Sequence, residues 1–140
     1  MTERFFFEDL SAGQTASPAR TMTEAAILSY SLVSMDTDPR HLDAEAAKQT
    51  YSGGHIAHGM LSSGLISAVP STKPPGPSML CIRRSPRFAS PANNGQTVRA
   101  TVEVTALNAD KKRATSRTIC TVGDELVIEG EAYVQVPSRN

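Results

Sequence analysis

The sequence has no tryptophan, only two cysteines and no net charge, and the last two features exclude whole classes of protein. Cys81 and Cys120 cannot build a disulfide framework and do not form a CxxC pair, so we expect free thiols in a reducing compartment, the cytoplasm. Basic and acidic residues number 14 each, which leaves no long-range attraction to nucleic acid or membrane. No apolar run approaches the roughly 20 residues of a membrane-spanning helix, and Phe5–Phe7 is too short for a signal peptide.

We expect the 140 residues to form one domain over 1–140. The pattern of the first half indicates helices. Thr21 and Glu24 have the spacing of a capping box, and Asp38-Pro39 is expected to stop the helix that follows. A short helix is predicted over residues 43–49. The apolar positions of the first helix recur at helical intervals: Ile27, Leu28, Leu32 and Met35.

A further helix is predicted from about residue 58 to residue 69. Most of its residues are glycine, serine or alanine, and each glycine costs roughly 1 kcal/mol relative to alanine, so the helix needs support from packing. Small residues also let a sheet approach closely, which predicts a buried helix inside a curved sheet, ended by Pro70 and followed by a loop over 74–77. Its apolar stripe is formed by Met60, Leu61, Leu65 and Val69.

The second half alternates apolar and polar residues with a period of two, as half-buried antiparallel strands do. The alternation covers 98–106 and 126–136, the segments 78–88 and 112–122 complete the set, and Pro86 confines its strand to an edge or bulge. Asn94-Gly95 and Gly123-Asp124 are turn signals. The predicted class is α+β, one long helix with an antiparallel sheet of about five strands.

Reactive side chains are densest in the loop after the first helix, where Asp36 and His41 lie five residues apart across a proline. A carboxylate beside an imidazole can share a proton near neutral pH. Spacing alone is weak evidence, because an Asp and a His in a loop are more often surface or capping groups. A second cluster, His58-Gly59, begins the small-residue helix, where unpaired N–H groups and the absent side chain of Gly59 suit an oxyanion hole.

Together these two segments resemble the MaoC-like dehydratases, which include the (R)-specific enoyl-CoA hydratases. That family's pattern is roughly Ser-Gly-Asp-x-Asn-Pro-x-His-x-Asp followed by Ile-Ala-His-Gly-Met-Leu. The matching segments are Ser34–Asp43 and Ile56–Leu61, and weaker similarity at Phe7–Gly13, Arg87–Gly95 and Glu129–Ala132 extends over nearly the whole chain.

The resemblance implies a hot-dog fold, a long central helix wrapped by an antiparallel sheet, and assembly into a homodimer or higher homo-oligomer. It implies reversible addition of water to a trans-2-enoyl-CoA or acyl-carrier-protein thioester, giving the (R)-3-hydroxyacyl product without metal or redox cofactor. Asp36 and His41 match the catalytic pair, and the assignment of base and acid within it stays open. Gly59 matches the backbone donor to the thioester oxygen, and Ser67 a polar pocket residue. His58 is expected to pack or hydrogen-bond and to position the loop.

The sequence departs from the family pattern at two positions beside the pair. Met35 stands where the family has glycine, and we expect it to narrow or reshape the pocket entrance. Asp38 replaces the family's asparagine and adds a negative charge near Asp36, which tends to raise a carboxylate pKa. Both departures bear on substrate range and pH optimum.

Four other interpretations remain open on the residues alone. His55 and His58 have a workable spacing for zinc, although His55 precedes the helix. A hot-dog thioesterase would use a carboxylate to direct water at the thioester carbon, and a non-catalytic thioester-binding subunit would use neither group. Arginines on the strand over 78–88 are able to reach coenzyme A phosphates, but exposed strand-face arginines are commoner: Arg83, Arg84 and Arg87.

Overall fold

An antiparallel sheet is the largest feature of the computed structural model, which describes residues 4–50, 53–69 and 79–140. Its strand order is β1-β5-β6-β7-β3, with β2 also paired to β5 and β4 also paired to β7. Each outer position is therefore filled by two short strands, and the predicted α+β class with about five strand positions is confirmed. The strands are β1 (Thr15–Ala16), β2 (Ala19–Thr21), β3 (Leu80–Arg84), β4 (Arg87–Phe88), β5 (Thr97–Asn108), β6 (Arg113–Val122) and β7 (Glu125–Gln135).

The period-two pattern of β5 is confirmed as far as Val104, because every second residue from Val98 is buried. Ala106, predicted to point inward, is exposed because the register with β6 shifts between Val104 and Ala106. The predicted turns lie where expected, with Gly95 and Gly123 at positive φ. The strands β1 and β2 are too short to show a periodic pattern and were not predicted.

The helix α4 (Gly59–Ala68) is capped by His58 and packs against the three long strands. Its predicted apolar stripe is confirmed at Val69, which is buried, and at Leu61 and Leu65, which pack against the core, and it is wrong at Met60, which is exposed. Ser62, Ser63 and Ile66 are buried as well. The serine hydroxyls tolerate burial because both have partners: Ser62 Oγ donates to Met22 Sδ (4.0 Å), and Ser63 Oγ accepts from Arg84 Nη2 (2.8 Å). Small polar residues thus share with apolar ones the face that meets the sheet.

The helix α1 (Glu24–Ser34) begins two residues later than predicted, because Thr23 rather than Thr21 caps it through the Ala26 N–H. It ends at Met35, which has a left-handed φ of 66°, before Asp38-Pro39 is reached. Pro39 instead begins α2 (Pro39–Leu42), and α3 (Ala44–Lys48) follows with Asp43 as its cap, as predicted. Only Ile27 and Ser31 of α1 are buried; the rest of its apolar stripe is exposed.

The predicted strand over 78–88 is interrupted at Ser85-Pro86, where β3 ends and β4 begins. A side chain on Gly130 of β7 would place its Cβ 2.3 Å from the Ser85 carbonyl oxygen, so only glycine permits this approach. The predicted helix end at Pro70 and the loop over 74–77 lie outside the described residues. No helix of the described ranges is long and apolar enough to cross a membrane.

Candidate active site

Asp36 and His41 face each other across the turn between α1 and α2. The left-handed Met35 reverses the chain after α1, Asp38 accepts from the Arg40 N–H to begin α2, and His41 follows on that helix. Asp36 Oδ2 lies 3.8 Å from His41 Nε2. The imidazole is buried, whereas the carboxylate is 52% exposed. The predicted pair is therefore brought together, with one member open to solvent.

The hydrogen bond of His41 to Ile56 fixes its tautomer. His41 Nδ1 lies 2.9 Å from the Ile56 carbonyl oxygen. Because a carbonyl only accepts, Nδ1 carries the hydrogen, and in the neutral imidazole Nε2 presents its lone pair to the Asp36 side. Sequence reasoning missed Ile56 because it contributes a main-chain atom.

His58 contacts both members of the pair. Its Nε2 lies 3.0 Å from the main-chain oxygen of Asp36 and 3.1 Å from Ser31 Oγ, so Nε2–H donates to these oxygens. Its ring is stacked on that of His41, with centroids 3.8 Å apart and planes at 24°. The ring of Tyr30 lies tilted against its side at 4.7 Å. These contacts match the positioning role expected for His58, and they bring in Tyr30 and Ser31, which the sequence did not mark.

Gly59 is the first residue of α4, where helical geometry leaves the N–H without an internal partner and the helix dipole is positive. A Cβ on Gly59 would lie 2.8 Å from Cδ1 and Cε1 of Phe88. The ring of Phe88 therefore covers this glycine, and a larger residue would displace it.

Two cavities meet at this point and share His41, Gly59 and Phe88 as walls. One, of about 330 Å³, has four buried apolar residues in its wall, Ile56, Ala57, Ala92 and Val127, together with Ser62, one turn after Gly59. The other, of about 280 Å³, is lined by Asp36, His58 and their neighbours. The reactive pair and the helix terminus thus border two neighbouring cavities.

Ser67 lies away from the pair. It borders a separate cavity of about 140 Å³ with Cys81 and Arg84, and its Oγ accepts from Arg84 Nη1 at 3.2 Å. The structure does not bring it to Asp36 or His41 within this chain. Ser62 is the α4 serine that borders the catalytic cavity, and its position three residues after Gly59, on the same helix face, is the signal that identifies it.

The arginines of β3 and β4 are engaged by the protein itself. Arg84 binds Ser63 and Ser67, Arg87 pairs with Glu129 (Nε to Oε1 2.8 Å), and Arg83 lies over the Tyr133 ring. Arg84 and Arg87 are thus held by side-chain partners rather than held out towards a phosphate.

Asp36, His41 and His58 also lie within metal-binding distance, with one ligand atom of each inside 4.8 Å. An imidazole binds a metal in the plane of its ring, and two nearly stacked rings do not aim their lone pairs at one point. His58 Nε2 is also committed to the Asp36 carbonyl. His55 is not part of this group; its Nδ1 lies 3.3 Å from Asn94 Nδ2. The residues fit a metal poorly, and a metal-free function stays a prediction.

Asp38 is paired with Arg40 rather than directed at the carboxylate of Asp36. Arg40 donates to Asp38 from its side chain and from its backbone, both at 2.9 Å, and these bonds lower the pKa of Asp38 to about 2. The charge added by this departure is therefore balanced locally. Met35, the other departure, is 84% exposed and lines neither catalytic cavity, so it does not narrow the entrance as expected.

Residues 8–128 match the model of the MaoC like domain. The chain belongs to the MaoC-like family. An (R)-specific enoyl-CoA hydratase of Rhodospirillum rubrum is 48% identical over 134 residues, which cover 96% of this chain and 93% of that protein. A 3-hydroxybutyryl-CoA dehydratase of Methylorubrum extorquens is 37% identical over 134 residues, covering 96% of this chain and 85% of that protein.

The solved structure of unliganded R-hydratase PhaJ1 from Pseudomonas aeruginosa matches with a TM-score of 0.92 and 32% identity, covering 99% of this chain and 89% of that one. The predicted hot-dog fold and family are confirmed. As a member of this family with relatives of these names, the protein is a hydratase/dehydratase, as predicted.

Proposed function

We propose that this protein adds water reversibly to a trans-2-enoyl thioester, giving the (R)-3-hydroxyacyl thioester, and that Asp36 and His41 carry the reaction. The observation that carries the proposal is the 3.8 Å between Asp36 Oδ2 and His41 Nε2. A water oxygen placed about 2.8 Å from both atoms would donate one hydrogen bond to each. A carboxylate oxygen and an imidazole nitrogen that carries no hydrogen both accept hydrogen bonds, so the two are able to hold and polarise one water.

The chemical step balances with water alone. The water oxygen forms a bond to Cβ of the enoyl group while one proton passes to the pair, and the Cα–Cβ double bond shifts its electrons toward the thioester oxygen. The Gly59 N–H at the positive end of α4 stabilises that oxygen. The pair then returns one proton to Cα, which restores its starting state. No metal or redox cofactor enters this balance.

One pair delivers both the hydroxyl and the proton, so both add to the same face of the double bond. The R configuration at Cβ is supported by the name of the Rhodospirillum rubrum relative, an (R)-specific enoyl-CoA hydratase. The carrier is an acyl thioester of coenzyme A or acyl-carrier protein, and the cytoplasmic location is supported by two free thiols, one of them exposed.

We further propose a homodimer or higher homo-oligomer, supported by the apolar face that α1 leaves exposed. Leu32 is 70% and Val33 is 85% exposed, and Leu28 and Met35 extend the face. Contiguous exposed apolar side chains of this kind mark association surfaces. Light scattering should give a mass of two or more chains, and Leu32→Glu with Val33→Glu should lower it; a monomeric wild-type protein would contradict the proposal.

The direct test of the reaction uses crotonyl-CoA, with loss of enoyl thioester absorbance as the readout and a thiol reagent as a parallel assay. The proposal expects absorbance to fall without thiol release, and chiral analysis to give the (R)-3-hydroxy product. Thiol release would identify a thioesterase instead. Binding without turnover across several acyl lengths would identify a non-catalytic subunit.

A further inference from the structure

Phe88 occupies an unusual place for a large apolar side chain, since it lies on the two-residue edge strand β4 and is 51% exposed. Its ring nevertheless makes a close contact, covering Gly59 so tightly that a Cβ there would lie 2.8 Å from Cδ1 and Cε1. A half-exposed ring held over the catalytic helix terminus needs an explanation beyond core packing.

The ring lies where the two catalytic cavities meet. Phe88 borders both the cavity of about 330 Å³ and the cavity of about 280 Å³, together with Gly59 and His41. A substrate with its Cβ at the Asp36–His41 pair and its carbonyl oxygen at the Gly59 N–H has two ends to place. One is the acyl tail, the other is the arm of the thiol carrier, and the two cavities lead away from the reacting atoms past Phe88.

The backbone around Phe88 is fixed by β7. Phe88 pairs with Ile128, and the Ala89 N–H donates to the Val127 carbonyl at 2.8 Å. Upstream, Gly130 is the residue that lets Ser85 and Pro86 approach β7. The strand pairing therefore places the Cα of Phe88 beside α4, and the ring packs on Gly59.

We infer that Phe88 determines acyl-chain specificity by walling off one cavity from the other beside the catalytic pair. This inference rests on the proposed hydratase function. The wall restricts the wild-type protein to short acyl chains, because a longer chain has to occupy the space that the ring fills. A smaller side chain joins the cavities and admits longer substrates, and a larger one tightens the limit.

The test compares kcat/KM for four-, six- and eight-carbon trans-2-enoyl-CoA in wild type, Phe88→Ala, Phe88→Leu and Phe88→Trp. Ile82→Ala is the matched control, because Ile82 is also a half-exposed apolar residue of the same sheet edge and lines none of these cavities. In Phe88→Ala, the ratio of eight-carbon to four-carbon kcat/KM should rise roughly tenfold or more, the scale of a pocket gaining methylene contacts. The ratio for Phe88→Leu should lie between those of wild type and Phe88→Ala. Phe88→Trp should lower the ratio, and Ile82→Ala should leave it unchanged.

A binding measurement separates this inference from the proposed reaction. Calorimetry with the unreactive butyryl-CoA and octanoyl-CoA should show the same shift in relative affinity in Phe88→Ala, whether or not the protein hydrates crotonyl-CoA. An equal loss for all chain lengths, or a ratio within twofold of wild type in both assays, would overturn the specificity role. If the protein does not hydrate crotonyl-CoA but Phe88→Ala still shifts the relative affinity for the two acyl-CoA ligands, the proposed function is overturned and the specificity role of Phe88 stands.

Discussion

The ring of His58 lies stacked on the ring of His41, 3.8 Å away between centroids, while its Nε2–H donates to the main-chain oxygen of Asp36 at 3.0 Å. One side chain thus touches both Asp36 and His41 and also lines the cavity of about 280 Å³ beside them. His58 is also the N-cap of α4, so the same residue joins the loop that carries the pair to the helix that carries the carbonyl donor.

His58→Ala should lower kcat roughly tenfold or more and change KM less, since small misplacements of catalytic groups are costly. His58→Gln should recover part of kcat, because its amide can still donate to the Asp36 carbonyl. His55→Ala, which alters a neighbouring histidine outside the group, is the control. Steady-state kinetics and melting temperatures check this prediction. If the Ala and Gln variants lose kcat equally, and the losses parallel their decreases in melting temperature, the role of His58 is purely structural.

The effects of Gly59→Ala and Phe88→Ala on kcat/KM should be strongly non-additive. The three atoms nearest to the added methyl group all belong to the ring of Phe88, so Gly59→Ala is expected to fold but to displace that ring into the shared cavity space and lower kcat/KM. Removing the ring frees the space, and the double variant should lose less activity than the product of the two single losses. A simple product of the losses would show instead that the methyl group acts by blocking the carbonyl of the substrate.

Asp38→Asn should reveal the charge pairing with Arg40 through acid stability. The folded pKa of Asp38, about 2, is below its ordinary value of 3.8, so its stabilising effect is complete above pH 3.8 and is lost as pH falls through 2. Asparagine can still cap α2, which isolates the charge. The melting-temperature difference from wild type should be constant between pH 5 and 8 and shrink toward pH 2; a difference that grows in acid would contradict this.

Met35→Gly should keep activity within about twofold and melt no lower than Met35→Ala. Met35 has a φ of 66°, where a Cβ costs about 1–2 kcal/mol and glycine costs none, although glycine loses about 0.4–1 kcal/mol through the unfolded chain. The alanine variant removes the exposed side chain but keeps the strain, so it is the matched control. A glycine variant that melts below the alanine variant would show that the left-handed turn carries no strain.

The sequence was sufficient for the parts of the site that are local in the chain. The loop with Asp36 and His41 and the helix start at Gly59 follow from capping, proline and glycine signals within a few residues of each other. The wrapping of the helix by the sheet came from family resemblance, because no local pattern specifies which strands neighbour each other.

The features that were missed depend on contacts between distant residues. The stack of His58 on His41 and the ring of Phe88 over Gly59 join residues 17 and 29 positions apart, which no periodicity encodes. The apolar stripe of α4 was predicted correctly except at Met60, which is exposed although it is hydrophobic. Ser62 and Ser63 are buried instead, because their hydroxyls have partners that are distant in the chain. A single segment of the sequence does not show which distant groups will hydrogen-bond to its buried polar side chains.

The most direct test of the central claim is the hydration rate of crotonyl-CoA by wild type, Asp36→Asn and His41→Ala, with circular dichroism to confirm that each variant is folded. General acid–base groups contribute about 10²–10⁴-fold, so each variant should lose at least roughly 10²-fold in kcat. Loss in both variants with the fold intact is the predicted result. Near-normal turnover by either folded variant would contradict the assignment of Asp36 and His41 as the catalytic pair.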